Sequence, residues 1–386
     1  MILDSTLSLR RPHKERSFGL AAKLLRINWL FVLCICLLAW VGYAALYSAA
    51  GGSPFPYAQG QLIRFAGMLA AMICIAMVDI RLIAKLSWPS YALGILLLLV
   101  VMKFGHTGLG AKRWITLGGI EIQPSELIKL FLSMALAQYF KRAMPEQTGN
   151  LLYVLPAVLA ILLPVGLILK EPNLGTAVIT AAIGCTVMLG AGVRWWWFAI
   201  IIAVIAISAP VLYEHLHAYQ RARIVTFLNP GSDPLGAGYN IIQSKIALGS
   251  GGFFGQGYLH GTQNQLNFLP EKQTDFVFTI IAEEFGYLGS MAVLALLFAI
   301  VTLAFYTAMT CNHVYGRLVA LGIGTNFFLY CFVNLSMVMG LIPVGGVPLP
   351  LISYGGSALT AVMLGFGVLQ SIHVHRDVEF ADSADF

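Results

Sequence analysis

The chain has 386 residues, of which 59% are hydrophobic and only 10% are charged, and its formal net charge is +6. A soluble protein of this length needs far more charged residues to cover its surface, so the composition excludes an ordinary soluble fold. The apolar residues also occur in runs of about 17 to 26, each long enough to cross a hydrocarbon core of roughly 30 Å. The sequence therefore indicates a membrane protein.

Residues 1–26 carry a cluster of basic side chains, at Arg10, Arg11, Lys14, Arg16, Lys23 and Arg26. A basic cluster directly before an apolar run is typical of a cytoplasmic segment beside anionic lipid, and this position argues against nucleic-acid binding. The apolar run that follows, 27–48, has the length of a membrane span rather than that of a signal-peptide core, so we expect no cleaved leader.

Ten apolar runs predict ten spans, at residues 27–48, 59–78, 88–104, 124–140, 151–169, 174–190, 195–213, 276–305, 316–341 and 354–373. The predicted fold is an all-α polytopic membrane domain over residues 27–373, followed by a short tail over 374–386. Lys and Arg are concentrated in the loops that lie on the same side of the membrane as the amino terminus. This bias predicts that both termini lie in the cytoplasm, with the protein in the bacterial inner membrane.

A long loop, residues 214–275, separates predicted spans 7 and 8 and falls on the outer side. Loops of this length are usually functional or disordered, and the aromatic content of this one argues against disorder. Its amphipathic stretch, 239–248, predicts a segment that folds back on the outer membrane face. The glycine run at 249–257 lacks a surrounding βαβ unit, so we do not interpret it as a dinucleotide site.

Glu126 and Lys129 stand three residues apart at the start of the fourth span, so they share one helical face. Ionisable residues at membrane depth are functional candidates because burying them is costly. Two interpretations stay open: the pair faces a polar substrate cavity, or the two charges neutralise each other as a structural pair.

Asp275 lies where the long loop re-enters the membrane. A carboxylate at such an apolar boundary is a candidate general base. The alternative is a helix N-cap, because Thr-Asp before an apolar run is a helix start signal. We assign no role to Glu283 and Glu284, which follow in the same span.

Several polar residues are predicted to lie towards the outer face, namely Arg64, Arg113, Gln220, Arg221 and Arg223. Converging guanidinium groups suit a phosphate-bearing ligand, since they bind phosphate in a bidentate manner. Taken singly, each arginine is more often a solvated or snorkelling side chain than a ligand-binding one.

The sequence gives no pattern for a metal or nucleophile site. The six cysteines fall in or beside apolar runs without a CxxC spacing, and His215, His217 and His260 have no recognised zinc spacing. A GxSxG elbow is also absent from the sequence.

Five segments together resemble the SEDS family (shape, elongation, division, sporulation). They read KRWITLGG at 112–119, QPSE at 123–126, DPLGAGYN at 233–240, LPEKQTDF at 269–276 and PLPLISYGGS at 348–357. The similarity covers nearly the whole chain after residue 26, and the forms at 240–252 and 346–350 are more similar to the elongation member than to its division counterpart.

The resemblance implies a peptidoglycan glycosyltransferase that polymerises lipid II on the outer side of the inner membrane during elongation and rod-shape maintenance. It implies Asp275 as the general base. It also implies a set of substrate-binding residues: Arg64, Arg113, Trp114, Glu126, Lys129, Gln220 and Arg223. A divalent cation, Mg or Mn, is expected for a diphosphate leaving group, although no motif locates one.

The segment EPNLGT at 171–176 departs from the family pattern, which usually has Asp where this chain has Asn173. A role that depends on that negative charge does not carry over to this chain, whereas hydrogen bonding does.

The resemblance further implies a class B penicillin-binding transpeptidase and other elongation-complex membrane proteins as partners. Two alternatives remain at this level. The first is a flippase for the lipid-linked precursor, which shares the many spans and the intramembrane charge. The second is a non-catalytic scaffold, which does not explain the charged residues Glu126, Lys129 and Asp275.

Overall fold

The computed structural model describes residues 19–108, 111–117, 120–171, 173–215, 221, 225–229, 231, 237–266, 268–269, 271–343 and 345–378. The helices are α1 (Leu20–Leu25), α2 (Trp29–Ala49), α3 (Ala58–Met77), α4 (Ile80–Lys85), α5 (Ser87–Phe104), α6 (Pro124–Phe140), α7 (Pro145–Thr148), α8 (Leu151–Lys170), α9 (Leu174–Gly190), α10 (Trp195–His215), α11 (Ala237–Ser250), α12 (Thr262–Gln265), α13 (Val277–Thr310), α14 (Val314–Val338) and α15 (Gly356–Val374). The strands are β1 (His106–Gly108), β2 (Ala111–Leu117) and β3 (Ile120–Ile122).

A helix lies at each of the ten predicted spans. Seven of them, α2, α3, α5, α8, α13, α14 and α15, are long and apolar enough to cross a membrane, which makes the chain a multi-pass membrane protein. The other three, α6, α9 and α10, do not meet that criterion over the described residues: α6 and α9 have 17 residues each, and α6 carries two charges. The count of ten spans therefore stays a prediction.

The all-α prediction needs one correction, because β1, β2 and β3 form a three-stranded antiparallel sheet between α5 and α6. In this sheet His106 pairs with Trp114, and Ile115 pairs with Ile122. The aromatic and β-branched residues of β2 favour a strand, and glycines next to it permit tight reversals. The sheet contacts the start of α15, where Ser357 Oγ donates to the carbonyl of Glu121 at 2.7 Å.

The predicted amphipathic stretch of the long loop forms α11, which packs against α13 and α14. The glycine run that follows α11 fits into a break in α13 at Gly286, which has φ 63° and ψ −157°. There the N–H of Gln256 donates to the carbonyl of Glu283 at 2.9 Å. A Cβ on Gly255 would lie 2.1 Å from the carbonyl oxygen of Glu284, so the close backbone approach requires glycine. The run is thus a packing element.

Helix α14 occupies the centre of the bundle, since it packs against α6, α9, α13 and α15. It is followed by a non-helical but buried segment, which we name the 345–355 loop. Leu349, Leu351 and Ile352 of this loop are each at most 2% exposed. Ser353 Oγ accepts a hydrogen bond from the N–H of Leu349 at 2.8 Å, which satisfies part of the buried backbone.

Candidate active site

The 345–355 loop is the meeting point of distant parts of the chain. From α3, Gln61 Nε2 donates to the carbonyl of Ser353 at 2.9 Å. From the end of the long loop, the carbonyl of Gln273 accepts from the N–H of Tyr354 at 2.8 Å. Since both contacts use the main chain of the loop, the loop joins α3 to residues 271–276, the described part of the predicted catalytic segment.

Asp275 is half-buried beside this loop. The carbonyl of Asp275 accepts a hydrogen bond from Asn334 Nδ2 of α14 at 2.9 Å, and the same amide donates to the carbonyl of Val347 at 2.8 Å. Gly346 faces the carboxylate: a Cβ at that position would lie 3.8 Å from Asp275 Oδ2. One side chain, Asn334, therefore fixes the backbone on both sides of the candidate base.

Helix capping does not explain Asp275. Helix α13 begins at Val277, and its N-cap position is occupied by Phe276 rather than by Asp275. The N-cap alternative for Asp275 is therefore wrong. The general-base interpretation of this carboxylate stays a prediction.

Glu126 and Lys129 form a buried ion pair, with Lys129 Nζ 3.0 Å from Glu126 Oε1. Their side chains are 6% and 1% exposed, respectively. Tyr330 of α14 completes the cluster, because its hydroxyl accepts from Lys129 Nζ and donates to Glu126 Oε2. Both charges are thus paired inside the bundle between α6 and α14. Contact of this pair with a substrate stays a prediction.

Helix α14 connects this cluster to Asp275. Tyr330 and Asn334 are four residues apart, so they lie on one face of the helix, a single turn from each other. The sequence did not indicate a role for either Tyr330 or Asn334. A search for polar residues within apolar runs would have found Asn334, whereas a tyrosine in such a run carries no comparable signal.

Arg64 of α3 reaches the 345–355 loop from the other side. Its guanidinium carbon lies 5.1 Å from the centroid of the Tyr354 ring, a cation–π distance. Tyr57 packs edge-on against the same ring, with the two centroids 5.3 Å apart. The structure therefore brings Arg64 to the segment that also contacts Gln273, two residues before Asp275.

Arg113 and Trp114 lie on β2, and both are half-buried. Arg113 Nε donates to the carbonyl of Glu171, at the end of α8, at 2.9 Å. Burial raises the pKa of the Glu171 carboxyl to about 8, while the positive charge of Arg113 acts in the opposite direction. Arg113 is thus directed towards the segment that joins α8 to α9.

That segment also contacts the 345–355 loop. Asn173 is the N-cap of α9, and its Oδ1 accepts from the N–H of Thr176 at 3.4 Å. A Cβ on Gly175 would lie 3.4 Å from the carbonyl oxygen of Gly345. Arg113 is therefore connected to the Asp275 region through the segment that joins α8 to α9.

Gln220 and Arg223 lie outside the described residues. Among the residues that the structure describes, no group of three or more His, Cys, Asp or Glu side chains could hold a metal ion. The predicted divalent cation therefore has no ligands assigned among these residues, and we derive no chemical step through one.

Comparisons with known proteins agree with this architecture. The family model of the FtsW, RodA and SpoVE cell cycle proteins matches residues 23–378. Peptidoglycan glycosyltransferase MrdB of Escherichia coli is 40% identical over 347 residues, which is 89% of this chain and 93% of that protein.

Two solved structures have the same fold. A chain of a peptidoglycan synthase complex that coordinates polymerization and crosslinking has a TM-score of 0.77 and 31% identity, over 91% of this chain and 98% of that chain. Rod shape determining protein RodA of Thermus thermophilus has a TM-score of 0.70 and 26% identity, over 92% of this chain and 98% of that chain.

Proposed function

This chain belongs to the FtsW, RodA and SpoVE family of cell cycle proteins, and we infer that it is a peptidoglycan glycosyltransferase that polymerises lipid II. The observation that carries this proposal is Asp275, a half-buried carboxylate whose backbone is fixed by Asn334 beside a loop shared with Arg64. The similarity to MrdB and RodA supports a role in elongation and rod shape.

The proposed reaction joins two lipid-linked sugars. The 4-hydroxyl of one lipid II attacks the anomeric carbon of a polyprenyl-diphosphate-linked chain, a new glycosidic C–O bond forms, and the bond to the diphosphate breaks. Asp275 takes the hydroxyl proton as general base. The polyprenyl diphosphate departs with the bonding electron pair, and nearby cations stabilise its charge.

Arg64 and Arg113 are the described arginines proposed to act on the diphosphate, with Trp114 beside Arg113 on β2. Gln220 and Arg223 are proposed for the same task from the long loop. A divalent cation on the departing diphosphate also stays a prediction, and chelation with and without added Mg or Mn during polymerisation tests it.

The decisive experiment compares purified wild type with Asp275→Asn. The amide is nearly isosteric but cannot take a proton, so we expect at least a hundredfold loss of polymerisation, about the contribution of general base catalysis. The variant should stay folded, since the hydrogen bond from Asn334 to the carbonyl of Asp275 does not depend on the carboxylate. Asp275→Glu, which keeps the base but displaces it, serves as the control.

Two results would contradict the proposal. Near wild-type polymerisation by Asp275→Asn would remove the base assignment. No polymer from wild type, together with movement of labelled lipid II between the leaflets of vesicles, would indicate a flippase instead.

We also propose ten spans, with α6, α9 and α10 added to the seven long apolar helices, and both termini in the cytoplasm of an inner-membrane protein. The Lys and Arg bias of the loops supports this topology. In a cysteine-free background, an impermeant thiol reagent added outside should label Ser232→Cys and not Gln147→Cys. The reverse labelling would overturn the topology.

The proposed partner is a transpeptidase of the class B penicillin-binding type, together with other membrane proteins of the elongation complex. The support is the likeness to a chain from a synthase complex that coordinates polymerization and crosslinking. Co-purification of the full chain with a co-expressed transpeptidase from the same organism tests this assignment.

A further inference from the structure

Helix α13 carries two adjacent carboxylates that the proposed reaction does not use. Glu283 and Glu284 follow Asp275 in the chain, and each is 1% exposed. Burying an ionisable side chain in a membrane-spanning helix is costly, so such a residue indicates a role. The sequence indicated no role for either acid, whereas the structure gives both of them partners.

The main chain of the two acids is bonded to the long loop rather than to their own helix. The break at Gly286 interrupts the helical hydrogen bonds of α13. In their place, the N–H of Gln256 donates to the carbonyl of Glu283 at 2.9 Å. The N–H of Gly257 likewise donates to the carbonyl of Glu284 at 3.0 Å. The long loop is therefore fastened to α13 at the position of the two acids.

The side chain of Glu283 holds the start of α12. Its Oε1 accepts from the N–H of Gln263 at 2.8 Å and from Thr262 Oγ1 at 3.2 Å. A Cβ on Gly261 would lie 2.8 Å from Glu283 Oε2, so the close approach of the loop requires glycine. The first N–H groups of a helical turn lack partners, and a carboxylate accepts strongly from them. Glu283 thus fixes where α12 begins.

The side chain of Glu284 joins α12 to α2. It accepts from Ser48 Oγ, near the end of α2, and its Oε1 lies 3.4 Å from Asn264 Nδ2. The same amide donates to the carbonyl and the Oγ of Ser48, at 3.0 and 2.9 Å. Ser48, Asn264 and Glu284 therefore form one buried cluster of hydrogen bonds among α2, α12 and α13.

Leu259 of the long loop has an uncommon conformation beside this cluster. Its φ is 64°, a left-handed value that leucine rarely adopts. The backbone of Leu259 makes a hydrogen bond to Glu284, and its carbonyl accepts from Gln265 Nε2. Such a conformation persists only where the surrounding structure holds it. The carboxylate of Glu284 is one of the groups that hold it.

Lys272 connects the cluster to the candidate base. Its Nζ donates to the carbonyl of Asn264 at 2.7 Å, and its positive charge interacts favourably with Glu284. Lys272 precedes Asp275 by three residues. Between these two residues, the main chain is hydrogen-bonded to the 345–355 loop. The segment that carries Asp275 is therefore held both by α12 and by the 345–355 loop.

We propose that Glu283 and Glu284 are positioning residues for the general base: as buried hydrogen-bond acceptors they fix the return of the long loop, and through Lys272 they set the place of Asp275. This inference rests on the proposed function and adds to it two residues that act through others. The two acids differ in kind from Asp275, because they accept hydrogen bonds, whereas Asp275 takes a proton. An amide oxygen also accepts, so glutamine should replace either acid better than alanine does.

The first test measures amide hydrogen exchange of the purified full chain in detergent, and it needs no turnover. Glu284→Ala should raise exchange about tenfold in residues 256–266 and 271–276, while α14 and α15 keep wild-type protection. Glu284→Gln should stay within about threefold of wild type. Thr307→Val is the matched control, since this buried hydroxyl bonds only within α13, to the carbonyl of Leu303. Unchanged exchange of the loop segments in Glu284→Ala overturns the inference.

The second test measures polymerisation rates against lipid II concentration. Glu284→Ala should lower kcat about tenfold to a hundredfold, with KM changed by less than about threefold, because the base is displaced by a fraction of its bond to the substrate. Glu284→Gln should keep kcat within about fivefold of wild type. Equal losses in the two variants would mean that the charge or a proton of Glu284 is required, and this result overturns the inference.

The two tests fail separately. If wild type makes no polymer, the proposed function fails, while the exchange experiment still decides whether the acids hold the loop. If Glu284→Ala does not fold, Ser48→Ala and Thr262→Val replace it, since each removes one donor and leaves both carboxylates in place. Each should raise exchange of the loop segments and lower kcat by about threefold. Wild-type exchange and kcat in both variants overturn the inference.

Discussion

Two charged regions contact α14, and their charges are held in opposite ways. At Tyr330, the Glu126–Lys129 pair is enclosed by helices and satisfied by side chains. One turn later, the side chain of Asn334 donates only to main-chain carbonyls, and Asp275 is half-buried beside the 345–355 loop. A charge neutralised inside a bundle contributes to specificity of packing, whereas a charge fixed by its backbone at the surface can meet a substrate.

The first way to break this comparison is to remove one charge of the buried pair. Lys129→Met leaves Glu126 uncompensated, so we expect a loss of about 3–5 kcal/mol in the free energy of unfolding and no detectable polymerisation. A thermal melt in detergent, together with a polymerisation assay, measures both effects.

The double variant Glu126→Gln with Lys129→Met sharpens the same comparison. It removes both charges and keeps similar volumes, so most of the lost stability should return. We expect polymerisation to stay low, because both residues are predicted substrate contacts; its return together with stability would make the pair structural only. If the double variant is stable but inactive, the pair acts in the reaction, and the predicted substrate contact of Glu126 and Lys129 holds.

Asn334→Leu removes the side chain that fixes the backbone of the Asp275 region. Two carbonyls, of Asp275 and Val347, lose their donor, at a cost of about 1–3 kcal/mol for buried groups. Because the base is displaced rather than deleted, kcat should fall about tenfold to a hundredfold while KM changes little. Asn326→Leu, two turns earlier on α14, is the matched control. Equal kcat for the two variants would show that Asn334 does not position the base.

The sequence predicts the helices well because a long apolar run has few alternatives in a membrane. The sequence does not predict the sheet at residues 106–122, where two three-residue strands flank one of seven residues and glycines interrupt any long periodic pattern. The Glu126–Lys129 pair could be predicted from its spacing, since both residues lie on one helix.

The contacts that bring distant residues together around the 345–355 loop could not be predicted in the same way. Arg64, Tyr354 and Gln273 are brought together by tertiary packing alone, and Lys272 resembles any solvated loop lysine in the sequence. Asp275 was identified from its place at an apolar boundary, but the residue that fixes it, Asn334, lies on a different helix.

A smaller effect is expected at Asn173, where this chain departs from its family. The side chain caps α9, so Asn173→Leu should cost about 1 kcal/mol of stability, a typical loss for an N-cap. Asn173→Asp keeps the acceptor and should retain both stability and activity. Thermal melts of both variants, with polymerisation rates, measure this. Wild-type behaviour of Asn173→Leu would show that the cap contributes nothing.

The last prediction concerns how stability depends on pH at Glu171, whose pKa is raised by burial from 4.5 to about 8. Between these values the folded protein keeps a proton that the unfolded chain has released. The free energy of unfolding therefore falls as pH rises towards 8, and the contribution of Glu171 is complete only below its ordinary pKa. Glu171→Gln is neutral at every pH, so its melting temperature should fall less than that of wild type between about pH 5 and pH 8. Glu146→Gln, at an exposed acid of α7, should keep the wild-type slope. Identical slopes for wild type and Glu171→Gln would mean that Arg113 keeps Glu171 ionised, which would make the pair a second charged contact of the outer region.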